Sequence, residues 1–147
     1  MKVATILLND TKAKGKGRPR FTTRGKFVRT YTPKDTQDYC KLIRHEFIDK
    51  YGYEFKEYND VVRMNIRVNY AVPKSLSNKK KRELLYSPYL KKPDCDNIEK
   101  SIMDALNGVA YVDDCQVYDV HTIKRYNTED FIIIEVIYEK LWVKILN

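Results

Sequence analysis

Cysteine, histidine and tryptophan are all scarce in this chain of 147 residues. The three cysteines, Cys40, Cys95 and Cys115, show no paired spacing, which argues against a disulfide framework. Apolar runs such as residues 131–134 fall far short of the roughly 20 residues that a transmembrane helix needs. Because the sequence also shows no signal-peptide pattern, we expect a reducing, cytoplasmic location and no membrane partner.

Acidic residues are absent from one long stretch, residues 11–34, which holds nine Lys and Arg. Residues 73–93 hold seven more against the single acid Glu83, whereas several acids gather in residues 94–119. The formal net charge of +8 is therefore unevenly spread. A basic surface around an acidic pocket suits a metal-dependent nuclease, because the bases contact backbone phosphates and the acids bind the cation.

The hydrophobic periodicity predicts a single α+β domain over residues 1–147, a mixed β-sheet with packed helices. Strands are predicted at residues 3–8, 62–72, 116–125 and 131–139, and helices at residues 33–51, 78–85 and 96–107. Thr32 and Pro33 are predicted to begin the first helix, and Gly108 to close the last. Residues 9–30 are predicted to be a basic loop or arm, to which residues 26–30 add a short strand.

Apolar spacing also predicts which faces are buried. The first helix is expected to bury one face made of Tyr39, Leu42, Ile43, Phe47 and Tyr51. The long strand at residues 62–72 alternates between apolar and polar side chains and is expected to be half-buried. The C-terminal apolar segment, residues 141–146 with Trp142, fits either the sheet or a dimer interface.

Acidic residues around the third helix are the candidate metal ligands. Mg²⁺ prefers hard oxygen ligands and keeps several waters, so two or three carboxylates suffice. Asp94 and Asp96 can converge if their segment is extended. Asp113 or Asp114 can join them only if the following strand runs back along the helix. Side chains of neighbours in an extended chain face opposite ways, so Asp113 and Asp114 should not share one role.

Lys100 follows one turn into the predicted helix, on a polar face with Asn97 and Asp104. A lysine beside a metal site can contact the scissile phosphate and stabilise the charge of the transition state. The metal would polarise the phosphate and generate hydroxide from bound water. In a structural interpretation, Asp96 caps the helix with Glu99 as its capping-box partner, and Lys100 pairs with Asp104. For Asp104 we favour the structural role, and Asp113-Asp114 can equally be a solvated turn.

The basic arm offers candidate DNA contacts in Arg18, Arg20 and Arg24, with Phe21 suited to stacking on an exposed base. The alternative is a disordered, solubilising arm. The charge run at residues 79–82 fits a solvated helix face as well as a DNA contact. A zinc site from Cys95, Cys115 and His121 lacks the paired spacing of zinc motifs.

The ordered motifs of the chain resemble those of the RusA family of Holliday-junction resolvases, found in bacteria and their prophages. The matching motifs are Lys-Pro-Asp-Cys-Asp-Asn at 92–97, Lys100, Asp-Ala-Leu at 104–106, Asn-Gly at 107–108 and Asp-Asp-Cys-Gln-Val at 113–117. Residues 17–22 and 31–34 also match. The resemblance covers most of the chain and is weakest at residues 41–57 and after residue 139.

The resemblance implies a RusA-like fold and a magnesium-dependent homodimer that nicks two strands of a four-way DNA junction symmetrically. It implies Asp94, Asp96 and Asp114 as metal ligands and catalytic residues, with Lys100 as the essential lysine. Asn97, Asp104 and Asp113 would support them. Mn²⁺ is expected to substitute for Mg²⁺, with no other cofactor. The family position before the first aspartate is basic in some members, but here it is Pro93, and Lys92 is the adjacent DNA-binding candidate.

Two other functions compete with this prediction. A junction-binding protein without catalysis would keep the basic surfaces but would not need Asp94, Asp96, Lys100 and Asp114 together. A metal-dependent Asp-x-Asp transferase would use the same acidic pair on a sugar nucleotide. Such enzymes usually have larger nucleotide-binding domains, and the net charge of +8 fits DNA better.

Overall fold

Four strands form the central sheet of the computed structural model, which describes residues 1–57 and 61–140. Within these residues, the strands in chain order, including two that lie outside the central sheet, are β1 (Lys2–Asn9), β2 (Arg20–Arg24), β3 (Phe27–Tyr31), β4 (Val61–Ala71), β5 (Val117–Asn127) and β6 (Phe131–Glu139). The sheet has the order β1-β6-β4-β5, and β2 and β3 form a separate hairpin. Because β6 is antiparallel to β1 and β4 while β5 is parallel to β4, the predicted mixed sheet is confirmed.

Three helices accompany the sheet: α1 (Lys34–Tyr51), α2 (Asn78–Leu84) and α3 (Cys95–Leu106). The predicted start of α1 is one residue early, because Pro33 rather than Thr32 holds the N-cap position. Tyr39, Ile43 and Phe47 are buried as predicted, but Leu42 is exposed because it lies at the margin of that face. Ser77 caps α2 by accepting a hydrogen bond from the Lys80 N–H at 3.3 Å.

The core lies between α1, α3 and one face of the sheet. β4 contributes every second side chain, and the alternation predicted for this strand is confirmed by the burial of Val62, Met64, Ile66, Val68 and Tyr70. β1 and β6 alternate in the same way. α1 packs against β1 and α3, and α3 packs against β5. The predicted α+β architecture is thereby confirmed.

The direction of α3 decides where the candidate site lies. Near the start of the helix, the Cys95 Sγ is 4.0 Å from the Thr122 carbonyl oxygen in β5. The end of the helix leads through residues 107–116 to the first residue of β5, Val117. β5 therefore runs back along α3, as the sequence analysis required for a converging site.

The predicted arm at residues 9–30 contains two distinct structures. Residues 11–17, here called the strap, lie across α3, with Ala13 buried. β2 and β3 then form a hairpin around a two-residue turn in which Gly25 has φ +67°. The predicted strand at residues 26–30 is confirmed, but its partner β2 was missed. The prediction for Trp142 falls outside the described residues.

Candidate active site

Asp94 occupies the N-cap position of α3 without capping the helix. Its backbone is extended, and its side chain accepts no hydrogen bond from the first turn. The predicted helix start at Asp96 is wrong, because α3 already begins at Cys95, so a capping box from Asp96 to Glu99 has no place there. The Asp94 side chain is 54% exposed, and its carboxylate lies 3.5 Å from the Lys92 Nζ. Capping therefore does not explain an aspartate at this position.

Asp96 and Lys100 lie on the exposed side of the first two turns of α3. The first turn carries unpaired N–H groups and the positive end of the helix dipole, which favour carboxylates and phosphates alike. The alternative pairing of Lys100 with Asp104 is wrong, because Asp104 forms an ion pair with Lys16 instead. Within residues 1–57 and 61–140, Lys100 enters no ion pair. Its ammonium group is therefore available to an external anion.

The strap is fixed to α3 by polar contacts. The Ser101 hydroxyl, in a buried side chain, donates to the Lys14 carbonyl oxygen at 2.7 Å. The Lys16 N–H donates to the Asn97 carbonyl oxygen at 3.3 Å, and its ammonium reaches Asp104. The Asn97 carbonyl oxygen and the Asp104 carboxylate thus hold the strap on α3, and the supporting role predicted for these residues in catalysis stays a prediction.

Gly15 explains how closely the strap approaches the helix. A Cβ at this position would lie 3.1 Å from the Asn97 Cβ and 3.2 Å from the Pro93 Cβ. Those separations are tighter than ordinary carbon contacts of about 3.5–4.0 Å. Glycine lets the backbone pass between the start of α3 and the segment that precedes Asp94.

Asp113 and Asp114 have different surroundings in the turn before β5. The Asp113 carboxylate accepts a hydrogen bond from the Cys115 N–H at 2.9 Å and caps the 3₁₀ turn Asp114–Gln116. This bond lowers the pKa of Asp113, and the hydrogen bond between the two carboxyl groups raises the pKa of Asp114. The prediction that the neighbours do not share one role agrees with this geometry, since Asp113 is used as the cap.

The three predicted ligands do not converge within one chain. Asp94 lies at the start of α3, whereas Asp114 lies near Asp104, whose charge contributes to the raised pKa of Asp114. The helix between the two ends is about 18 Å long at ~1.5 Å per residue. β5 does return along α3, but Asp114 precedes β5 and stays at the far end. Across the described residues, no three His, Cys, Asp or Glu side chains are grouped closely enough to hold a metal ion.

Lys124 positions the segment before Asp94 and was missed by the sequence analysis. Its ammonium donates to the carbonyl oxygens of Lys91 and Pro93, both at 2.8 Å, and lies 5.6 Å from the centre of the Tyr89 ring. The alternation of side chains in β5 could have indicated this role, because it places Lys124 on the inward face of the strand. A charged residue at such a position needs a polar partner.

The β2–β3 hairpin has one cationic and one uncharged face. Residues directly paired in an antiparallel ladder share a face. Arg20 pairs with Tyr31, Thr22 with Arg29, and Arg24 with Phe27, so this face, here called the cationic face, combines arginines with two aromatic rings. The opposite, uncharged face carries Phe21, Thr23, Val28 and Thr30.

The register changes which aromatic residue accompanies the arginines. Phe21, the predicted stacking residue, lies on the uncharged face, whereas Phe27 lies on the cationic face. Both are exposed, at 70% and 77%. Arg18, Arg20 and Arg29 are exposed as well, and of Arg24 the structure describes the backbone position only. Phe27, Arg29 and Tyr31 were missed because only the hairpin register assigns them to one face.

The mixed sheet, the acidic start of α3 and the cationic hairpin define a small α+β domain with an exposed basic patch, a feature that is typical of nucleic-acid-binding proteins. Residues 10–137 match the family described as Endodeoxyribonuclease RusA, and the chain belongs to that family. The predicted family and the RusA-like fold are thereby confirmed. Nucleases of this family are generally metal-dependent.

A relative in Bacillus subtilis (strain 168) is 44% identical to this chain over 72 residues. It is described as the uncharacterized protein YqaN. The match covers 46% of this chain and 51% of the relative, so the chain spans about half the length of the curated relative that it matches. No helix within the described residues is both long and apolar enough to cross a membrane.

Proposed function

We propose that this protein is a structure-selective DNA endonuclease that resolves four-way junctions by paired, symmetric nicks. The observation that carries the proposal is Asp94, whose exposed carboxylate holds the N-cap position of α3 without serving the helix. Asp96 and Lys100 are exposed in the first two turns of the same helix. Membership of the RusA endodeoxyribonuclease family supports the same chemistry, in which water is added across a phosphodiester bond.

Lys100 and the start of α3 are proposed to receive the scissile phosphate. The helix N-terminus attracts an anion, and the Lys100 ammonium adds a point charge one turn away. The hydrogen bonds of Lys124 fix the segment before Asp94, so the Asp94 carboxylate follows a loop with a fixed backbone.

A divalent cation, Mg²⁺ with Mn²⁺ as a substitute, belongs to the proposal because hard oxygen donors suit it. Asp94, Asp96 and Asp114 are the proposed ligands. Since one chain keeps Asp114 at the other end of α3, a single chain does not fit a three-carboxylate site.

The proposed DNA contacts come from the hairpin, from the segment that precedes it and from the segment that precedes Asp94. Arg18 and the cationic face of the hairpin would contact phosphates and exposed bases, and Lys92 lies directly beside Asp94. Arg20 and Arg24 belong to this set through their places in β2. A homodimer in the cytoplasm, acting in recombination and repair on the chromosome or a prophage, completes the proposal, because a junction with approximate two-fold symmetry suits a two-fold dimer.

A junction-binding protein without catalysis is the second candidate function. The separation of Asp114 from Asp94 and Asp96 in one chain favours it. Such a protein would bind junctions through its basic surfaces and leave the strands intact with any divalent cation.

The first prediction is tested on a synthetic four-way junction, with and without Mg²⁺. We expect wild-type protein to make paired nicks only with the metal. Asp94→Asn and Asp114→Asn should bind the junction normally but nick it roughly 10²–10³-fold more slowly, as for the loss of one group that stabilises the transition state. Asp49→Asn, an exposed aspartate on α1, is the matched control and should cut normally.

The outcomes separate the candidate functions. Binding without nicks by the wild type would favour the junction-binding protein. If the wild type cut linear duplex DNA as fast as the junction, the protein would be a nuclease without junction selectivity. Undiminished nicking by both variants would contradict the assignment of Asp94 and Asp114.

A further inference from the structure

The outer face of the central sheet, which lies opposite the core, carries a cleft that the proposed function does not use. Alternation along β4, β5 and β6 turns Arg67, Arg125 and Ile133 away from the buried face. Together with Tyr86, which follows α2 in the chain, these residues line a cavity of about 400 Å³. Small-molecule sites have volumes of ~300–1,000 Å³, so the cleft is large enough to hold a ligand.

The two arginines of the cleft keep their charge available to a ligand. Within the described part of the chain, the Arg125 side chain forms no ion pair and no hydrogen bond. Arg67 lies 4.0 Å from the Glu135 carboxylate, a long contact for an ion pair, and its side chain is 57% exposed. Arg63, at the other end of the same face, is paired with Asp119 at 3.0 Å. The cleft is therefore at the cationic end of the face, which suits a phosphate.

Tyr86 has a left-handed backbone conformation that tyrosine rarely adopts. Its φ is +67°, and it follows the C-cap of α2, Leu85, at a position where many helices have glycine. The Tyr86 N–H donates to the Tyr126 carbonyl oxygen, and the Tyr126 N–H donates to the Ser87 carbonyl oxygen, both at 3.0 Å, so β5 fixes this conformation. Nevertheless the Tyr86 side chain is 61% exposed, and within the described residues it forms no hydrogen bond and no ring contact. An unfavourable backbone conformation thus presents an exposed ring at the cleft.

We propose that this cleft binds one nucleotide of an unpaired DNA strand. The base stacks on the ring of Tyr86, and the neighbouring phosphates contact Arg67 and Arg125. Exposed aromatic rings beside cations are the means by which proteins bind single strands without reading their sequence. A duplex does not fit this site, because its bases are stacked on one another and offer no free face to the ring. The inference goes beyond junction cleavage, since the cleft and α3 lie on opposite faces of the sheet.

A second cavity extends the cationic surface toward α2. It has a volume of about 290 Å³, and its lining includes Lys74, Lys81, Arg82 and Leu85. The two cavities are neighbours, because the last of these residues directly precedes Tyr86 in the chain. These cations offer a continuous path to the phosphates that follow the bound nucleotide. In this proposal, the charge run of α2 contacts DNA rather than facing solvent alone.

Replacement of Tyr86 by glycine separates binding from folding. Tyr86→Gly removes the ring but suits the left-handed backbone, so the Tm should remain close to that of the wild type. The affinity for an oligothymidylate of roughly ten nucleotides, measured in EDTA by fluorescence anisotropy, should fall about 5–150-fold, as for the loss of one stacked base. Tyr53→Ala, at a tyrosine outside the cleft with 56% exposure, is the matched control and should bind like the wild type. Unchanged affinity of a folded Tyr86→Gly variant would overturn the proposal.

Salt dependence tests the arginines of the cleft. Arg125→Met should reduce the slope of log K against log salt concentration by about 0.7, the contribution of one phosphate contact to single-strand binding. Lys41→Met, at an exposed residue of α1, removes the same charge elsewhere and should leave the slope unchanged. Equal changes in both variants would reveal an effect of net charge alone and would contradict a phosphate contact in the cleft.

Photocross-linking locates the bound strand. An oligonucleotide that carries one 5-iododeoxyuridine should couple to Tyr86, and mass spectrometry identifies the coupled peptide. Cross-links confined to the hairpin, at Phe27 for example, would overturn the proposal. Full competition by an equal concentration of thymidine monophosphate would also overturn it, because the site would then bind free nucleotides. None of these measurements requires cleavage, so their failure would leave the proposed endonuclease function unaffected.

Discussion

At the scale of single residues, Lys124 links the sheet to the candidate site. Its long side chain passes along the Tyr89 ring and delivers the ammonium to two carbonyl oxygens of the segment before Asp94. Within residues 1–57 and 61–140, Lys124 forms no ion pair with a carboxylate, and its two hydrogen bonds to backbone carbonyl oxygens fix the backbone of this segment. Lys124 is therefore a positioning residue in the proposed site.

We expect Lys124→Met to lower cleavage of the four-way junction by at least about tenfold, because each 1.4 kcal/mol of lost positioning is a factor of 10. Methionine keeps the length of the side chain but cannot donate to Lys91 and Pro93. Junction binding without metal should be unchanged, since the cationic face is untouched. Lys91→Met, at an exposed neighbour, is the control. A variant that loses stability but cuts at the wild-type rate would contradict the positioning role.

Prediction of single residues from the sequence succeeded where apolar and polar side chains alternate clearly. It failed where the position of a residue depends on the path of a loop. The buried residues of β4 followed from a period of two. The N-cap was misassigned because Asp94 and Asp96 are both good capping residues, and the sequence does not say which one ends the extended segment. The position of Asp114 depends on how residues 107–116 turn, which local pattern does not contain.

At the scale of secondary-structure elements, the β2–β3 hairpin carries its arginines on one face and only uncharged side chains on the other. β2 was not predicted from the sequence because Phe21 is its one apolar residue, and a single apolar residue shows no alternation of apolar and polar side chains. Its existence follows from pairing with β3 across the Gly25 turn. The register places Phe27 and Phe21 on opposite faces, and the two side chains are exposed to nearly the same extent.

We expect Phe27→Ala to weaken junction binding in EDTA by about 1–3 kcal/mol, the value of one base stacked on an aromatic ring. Phe21→Ala removes the same side chain from the uncharged face of the same hairpin and should leave the dissociation constant unchanged. Fluorescence of 2-aminopurine at the branch point should respond to the first variant alone. Equal losses from both variants would show that the hairpin acts through folding rather than through its cationic face.

At the scale of the whole molecule, β6 holds the sheet together. It lies between β1 and β4 and pairs with both, although β1 is the first strand and β6 the last strand within the described residues. The sequence predicted all four strands, but their order could not be predicted, because the β1–β6 pairing joins residues more than a hundred positions apart and the β4–β6 pairing joins residues more than sixty positions apart.

We expect Ile134→Ala to lower the free energy of unfolding by about 2–5 kcal/mol, as for other buried Ile-to-Ala changes. Ile134 is fully buried in β6, opposite Ile6 and Ile66. Leu7→Ala, on edge strand β1 with 48% exposure, should cost much less. Urea unfolding of both variants gives the comparison, and equal losses would contradict a central role for β6.

The place of β6 also affects how the chain folds while it is being made. A nascent chain that has not yet reached Phe131 holds β1 and β4 with the edges that β6 will pair left open. The frame that orients α3 and the hairpin is then incomplete, although every proposed site residue has already been made. The ribosome must therefore finish β6 before the chain can present an ordered site to DNA.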